Sequence, residues 1–129
     1  MPDVGLRTAT VLIVEDDELL MGVLYDAFSE VPGWDVVVAF DAFTAQDIFD
    51  LRPIDVLVLD VNLPGRSGLE LLTLLRADPK WHDQPVILIT AAAEQAAVQA
   101  AIRAGQGVRC IAKPFDLDEV INAVAAALG

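Results

Sequence analysis

Five residues carry side chains whose types and placement suit chemistry on a charged group: the acidic pair Glu15-Asp16, then Asp60, Thr90 and Lys113. The acids and the threonine stand at the end of short apolar runs, and the lysine ends a further expected strand. Val11-Leu12-Ile13-Val14 precedes Glu15, Val56-Leu57-Val58-Leu59 precedes Asp60, Val86-Ile87-Leu88-Ile89 precedes Thr90, and residues 108–112 precede Lys113. A continuous Val/Leu run too short for a helix is the pattern of a strand buried on both faces, as in a parallel sheet covered by helices. The polar residue then sits at the strand's carboxyl end.

Adjacent strands lie ~4.8 Å apart, so acids ending the first and third strands are expected to be close neighbours. Two such charges about 5 Å apart repel by roughly 3 kcal/mol at an effective dielectric of about 20. Glu15, Asp16 and Asp60 together with the Lys113 ammonium leave a local charge of about −2, which suits a divalent cation. Hard oxygen ligands with room for water favour Mg2+, with Mn2+ able to take its place. Beside such an ion, Asp60 could act as a nucleophile and take a phosphoryl group as an acyl phosphate. Lys113 would offset charge on the transferring group and the Thr90 hydroxyl would donate to one of its oxygens. The chain has no Walker-type glycine loop to hold a nucleotide, so the donor must already be phosphorylated.

Each of these residues also has a plainer reading. Asp16 or Asp17 alone is more often a helix cap than a metal ligand, and Asp17 is expected to remain the cap of the first helix. Asp60 lacks that explanation, because Ser67-Gly68-Leu69-Glu70 already supplies a capping box for the next helix. Thr90 could cap the helix that follows it while still facing the site. His82, beside Trp81 in a polar loop, reads as a surface residue, and Cys110 as a small core residue.

The elements that must position the acids follow from the same patterning. Residues 1–9 read as a loose lead-in and residues 10–129 as one domain of five βα units. Strands are expected at residues 10–14, 34–39, 56–60, 86–90 and 108–112. In the first helix Leu19, Leu20, Val23, Leu24, Ala27 and Phe28 recur at helical spacing before Pro32-Gly33. Ala42, Ala45, Ile48 and Phe49 form the inner stripe of the second, and Leu69, Leu72 and Leu75 or their neighbours that of the third. An alanine-rich fourth helix is expected to reach Ala104 and stop at Gly105-Gln106-Gly107. Asp116 is expected to cap the last helix, whose apolar face is Leu117, Val120, Ile121, Val124 and Leu128. Strict alternation of strand and helix argues an α/β fold with a doubly wound parallel sheet of order 2-1-3-4-5. Ligands in that arrangement bind beyond the carboxyl ends of strands one and three, where Glu15, Asp16 and Asp60 would meet.

Bulk properties exclude several other functions. The chain has 129 residues, one domain of common size, and 55% of them are hydrophobic. No apolar stretch approaches the ~18 residues that span a bilayer and no signal peptide is visible, which makes the cytoplasm the expected location. A net charge of −12 repels phosphate backbones, so no direct binding of nucleic acid is expected. Cys110 and His82 are the only cysteine and histidine, which excludes an internal disulfide and a Cys/His zinc site.

The chain resembles the receiver domains of bacterial two-component response regulators, including the chemotaxis regulators. The resemblance covers nearly all of residues 10–128 and rests on Val14-Glu15-Asp16-Asp17, Leu59-Asp60-Val61-Asn62-Leu63-Pro64-Gly65 with Ser67-Gly68, Ile89-Thr90-Ala91, and Ala112-Lys113-Pro114-Phe115. It implies a flavodoxin-like three-layer fold, with Asp60 accepting a phosphoryl group from a sensor histidine kinase or histidine phosphotransfer protein. It also implies that Asp16 and Asp60 ligate Mg2+, that Glu15 assists through water, and that the Asn62 backbone carbonyl completes the protein ligands. Thr90, Ala91 and Lys113 would form the phosphoryl-binding and switch set, and the Lys113-Pro114 peptide would be cis. A downstream effector or an output domain would read the signal, and two copies could pair through the fourth helix, fifth strand and fifth helix. One position departs from the family: Cys110 stands where relatives carry Tyr or Phe. The usual transmission through that face therefore does not follow from the resemblance. Two other functions compete with the phosphoacceptor reading. An interaction module independent of phosphorylation is suggested by Cys110. A magnesium phosphohydrolase with an aspartyl nucleophile is disfavoured by Asn62, which stands where such enzymes place a second aspartate.

Overall fold

The computed structural model describes residues 8–91, 96, 98–100 and 107–129. Five strands, β1 (Ala9–Val14), β2 (Trp34–Ala39), β3 (Val56–Asp60), β4 (Val86–Thr90) and β5 (Val108–Ala112), form one parallel sheet in the order β2-β1-β3-β4-β5. The helices α1 (Glu18–Ser29), α2 (Ala42–Leu51), α3 (Gly68–Ala77) and the C-terminal helix (Leu117–Leu128) connect or follow the strands. Residues 96 and 98–100 are helical and Val98 is buried, but most of the expected fourth helix and its stop at Gly105-Gln106 lie outside the described residues. No helix among the described residues is long and apolar enough to cross a membrane.

Period-two alternation divides the strand side chains between two cores. Val11, Ile13, Val56, Val58, Ile87, Ile89 and Ile111 face α1 and the C-terminal helix, meeting Met21, Leu24, Phe28, Val120 and Val124. Leu12, Val14, Leu57, Leu59, Val86 and Leu88 face the other way, against Ala45 and Phe49 of α2 and Leu71, Leu72 and Leu75 of α3. Both faces of the sheet are thus covered, which makes three α/β/α layers and explains why every residue of β3 and β4 is buried.

Three expectations need correction. β1 begins at Ala9, whose N–H donates to Gly33 O at 2.8 Å, one residue earlier than the apolar run suggests. In α1 the buried residues are Met21, Leu24 and Phe28, whereas Leu19 is 84% and Val23 49% exposed. Residues 19–24 are apolar at every position except Gly22, so periodicity alone could not select the face. In α3, Leu71 is fully buried beside Leu72 and Leu75 while Leu69 is only half-buried, which settles which of the neighbouring leucines face inward. Asp116 stands at the cap position of the C-terminal helix in extended backbone, but its side chain makes no cap bond. Its main-chain carbonyl instead accepts from the Glu119 N–H at 3.0 Å, satisfying that donor without the carboxylate.

Candidate functional site

Sheet register places the chemistry-bearing residues on a rising step. Val14 pairs with Leu59, so Glu15 follows level with Asp60, and Asp60 pairs in turn with Ile89. Thr90 lies one row further along and is paired with Ala112, which puts Lys113 two rows beyond Asp60. Lys113 N–H donates to Thr90 O at 2.8 Å, and the long lysine side chain reaches back over β4 to Asp60. The Lys113-Pro114 peptide is cis.

Asp60 is held at both carboxylate oxygens. Oδ1 accepts from the Asn62 N–H at 2.9 Å and Oδ2 accepts from Lys113 Nζ at 2.9 Å. Its side chain is 3% exposed and that of Lys113 33%, so the pair sits at the mouth of the sheet rather than in bulk solvent. Burial alone would lower the Lys113 ammonium, but the hydrogen bond and charge of Asp60, joined by the charges of Glu15 and Asp16, outweigh it and raise it above its ordinary value.

Glu15, Asp16 and Asp60 each present an oxygen within 4.8 Å of the others'. Glu15 is buried at 2% exposure, with Oε2 accepting from the Asp17 N–H at 3.1 Å. Its other oxygen, Oε1, is buried and has no hydrogen-bond partner. Burial first, and then the neighbouring Asp60 carboxylate, push the Glu15 carboxyl up to about 8, against the opposing pull of the Asp17 N–H and Lys113. A buried oxygen without a hydrogen-bond partner normally has a water, a ligand or an ion to satisfy it. Three hard oxygen donors, one of them on the exposed Asp16, fit Mg2+, which retains several waters when a protein binds it.

The neighbouring residues divide into those that join this arrangement and those that stand apart. Asp17 is the α1 cap, its Oδ1 accepting from Leu19 N–H at 2.9 Å and Leu20 N–H at 3.2 Å. Asn62 is exposed and reaches Asp60 through its N–H. Thr90 is fully buried and its hydroxyl donates to the Ala91 carbonyl at 3.0 Å, so donation to another oxygen requires its rotation from that partner. Cys110 is half-buried and packs on the α2/α3 side of the sheet, where burial raises its thiol. His82 is exposed and contacts Asp83 and Pro79 in the loop before β4. Two features were not read from the sequence. Arg66 lies 4.4 Å over the Phe43 ring and also donates to Gln46, tying the loop after β3 to α2. Gly68 approaches the backbone of Asp60 closely enough that no side chain fits.

Comparison with known proteins points the same way. Residues 11–125 match the family model of the response regulator receiver domain. The transcriptional regulatory protein MalR of Bacillus subtilis is 35% identical over 116 residues, covering 89% of this chain and 48% of MalR, so the chain spans about half of that relative. The polar-differentiation response regulator DivK of Brucella ovis is 32% identical over 122 residues, covering 95% of this chain and 98% of DivK. Among solved structures, the receiver domain of Francisella response regulator 1452 superposes with a TM-score of 0.82 at 29% identity, covering 94% of this chain and 97% of that one.

Proposed function

This chain belongs to the response regulator receiver family, and we propose that it is a phosphoacceptor that takes a phosphoryl group onto Asp60 from the phosphohistidine of a sensor kinase or phosphotransfer protein. The observation that carries this reading is the convergence of three carboxylates within 4.8 Å, one of them paired to Lys113 at 2.9 Å.

The chain's own residues have separable tasks. The Asn62 N–H and Lys113 Nζ fix the Asp60 carboxylate, so that an oxygen lone pair faces incoming phosphorus without a search over rotamers. An O–P bond forms as the donor's N–P bond breaks, and the electron pair of the broken bond stays on the departing imidazole. Glu15, Asp16, Asp60 and the Asn62 carbonyl are the residues that would hold Mg2+. The bound ion would supply compensating charge for the phosphoryl oxygens. Lys113 would then move its ammonium from the free carboxylate to the phosphoryl group, and Thr90 would turn its hydroxyl from Ala91 O toward a phosphoryl oxygen. Those two movements, at the ends of β4 and β5, would carry the signal to an effector protein or an attached output domain.

The test is incubation with Mg2+ and a small phosphoramidate, followed by intact-protein mass. The wild type is expected to gain one phosphoryl group and Asp60→Asn none. Steady release of phosphate from many phosphate esters, without retention of the label, would instead support a hydrolase.

A further inference from the structure

We propose that Gly68 is a positioning residue for Asp60: the bare first residue of α3 lets the helix rest directly on the Asp60–Val61 peptide and thereby fixes the aim of the carboxylate. This rests on the reading of Asp60 as the phosphoacceptor.

A Cβ on Gly68 would fall 2.2 Å from the Asp60 carbonyl oxygen, 2.9 Å from Val61 Cα and 3.0 Å from the Asp60 carbonyl carbon. All three are main-chain atoms at a buried strand end, which cannot swing aside as a flexible side chain does. Gly68 is not among the glycines with positive φ, so the requirement is for space and not for an unusual backbone conformation. Gly22 gives the contrast, since a Cβ there would meet nothing within 4 Å.

The contact closes a short circuit of main-chain bonds around the phosphoacceptor. Gly68 N–H donates to Val61 O at 3.0 Å, and Val61 N–H donates to Ile89 O at 2.9 Å. Asn62, next in the chain, donates its N–H to Asp60 Oδ1 at 2.9 Å. The capping box of Ser67 and Glu70 holds the start of α3 in place from the other side. A methyl group at position 68 must either tilt the Asp60–Val61 peptide or lift α3. Tilting moves the Asp60 Cα. Lifting stretches the Gly68–Val61 bond and draws the loop, with the Asn62 N–H, away from Oδ1. In both cases the carboxylate loses part of the two-sided hold that Asn62 and Lys113 provide.

The experiment compares Gly68→Ala with wild type, using Gly22→Ala as an open-space control and Val124→Ala, in the buried face of the C-terminal helix, as a variant weakened far from the site. Two readouts are taken well below each melting temperature: the rate of label uptake from a small phosphoramidate, and the Mg2+ dissociation constant by titration calorimetry. Gly68→Ala is expected to keep its far-UV circular dichroism, to label about 10- to 100-fold more slowly, and to bind Mg2+ more weakly. Both controls are expected to label at the wild-type rate although Val124→Ala melts lower. Wild-type labelling and Mg2+ affinity in folded Gly68→Ala would overturn the proposal. If that variant does not fold, the Ser67→Ala/Glu70→Ala pair loosens the start of α3 without adding an atom; slower uptake would then support the proposal and unchanged uptake would overturn it. A wild type that takes up no label refutes the phosphoacceptor reading itself.

Discussion

Lys113 Nζ meets Asp60 Oδ2 at 2.9 Å although β5 and β3 are not neighbours in the sheet, because β4 lies between them and the lysine reaches across its end. The bond therefore clasps three strands at the point where their carboxyl ends open to solvent. Removing one partner of a buried pair costs about 3–5 kcal/mol, and the partial exposure of Lys113 reduces this to roughly 1–3 kcal/mol here. Lys113→Met is expected to lower the unfolding free energy by that amount, read from the shift of the urea midpoint, and to slow phosphoryl uptake at Asp60.

Glu15 makes metal-free stability depend on pH in a direction that can be worked out. Its carboxyl titrates at about 8 in the folded chain, against 4.5 as the ordinary value. The native state therefore binds the proton more tightly, and the contribution is whole below pH 4.5, where both states are protonated. It is lost as pH rises through about 8, where the native state must give the proton up. Without divalent cation, stability is expected to fall by up to about 1.4 kcal/mol per pH unit across that window. Glu15→Gln should flatten the slope in chelator-containing buffer. An unchanged slope in that variant would assign the titration elsewhere.

The same crowding predicts a specific effect of magnesium. Binding to the native state alone stabilises by mass action, by about 2.7 kcal/mol at a hundred times the dissociation constant. Mg2+ is expected to raise the melting temperature more than NaCl of equal ionic strength, and the difference should shrink in Asp16→Asn. Equal effects of the two salts would show that the acids hold no ion.

The corrected face of α1 gives a check on the fold. Leu19→Ser, at a position 84% exposed, is expected to change stability by no more than about 0.5 kcal/mol. Leu24→Ala, fully buried five residues later, should cost about 2–5 kcal/mol. Chemical denaturation of the two variants distinguishes the faces.

What was legible in the sequence follows from how uniquely each pattern maps to structure. Val56 to Leu59 and Val86 to Ile89 are apolar throughout, and a strand covered on both sides is the arrangement that suits them, so β3, β4 and the acids beyond their neighbours could be placed from the chain alone. Asp17 was recognisable as a cap because its carboxylate precedes a helical stripe, and it caps α1. Leu19 and Val23 were misassigned because a helix rich in Leu and Val offers more than one apolar stripe, and only the sheet beneath selects among them. Asp116 fits the capping pattern by type, yet a main-chain bond takes the donor it was expected to satisfy. The Thr90 hydroxyl bond to Ala91 and the contact of Gly68 with Asp60 depend on the path of the loops, which spacing does not encode.

The most direct measurement locates the phosphoryl group itself. Protein labelled with a small phosphoramidate in Mg2+ is treated with borohydride, which reduces an aspartyl phosphate to homoserine, and is then mapped by peptide mass spectrometry. The account predicts homoserine at position 60 alone. Homoserine at Asp16 or Asp17 with Asp60 intact, or no conversion at any aspartate, would contradict it.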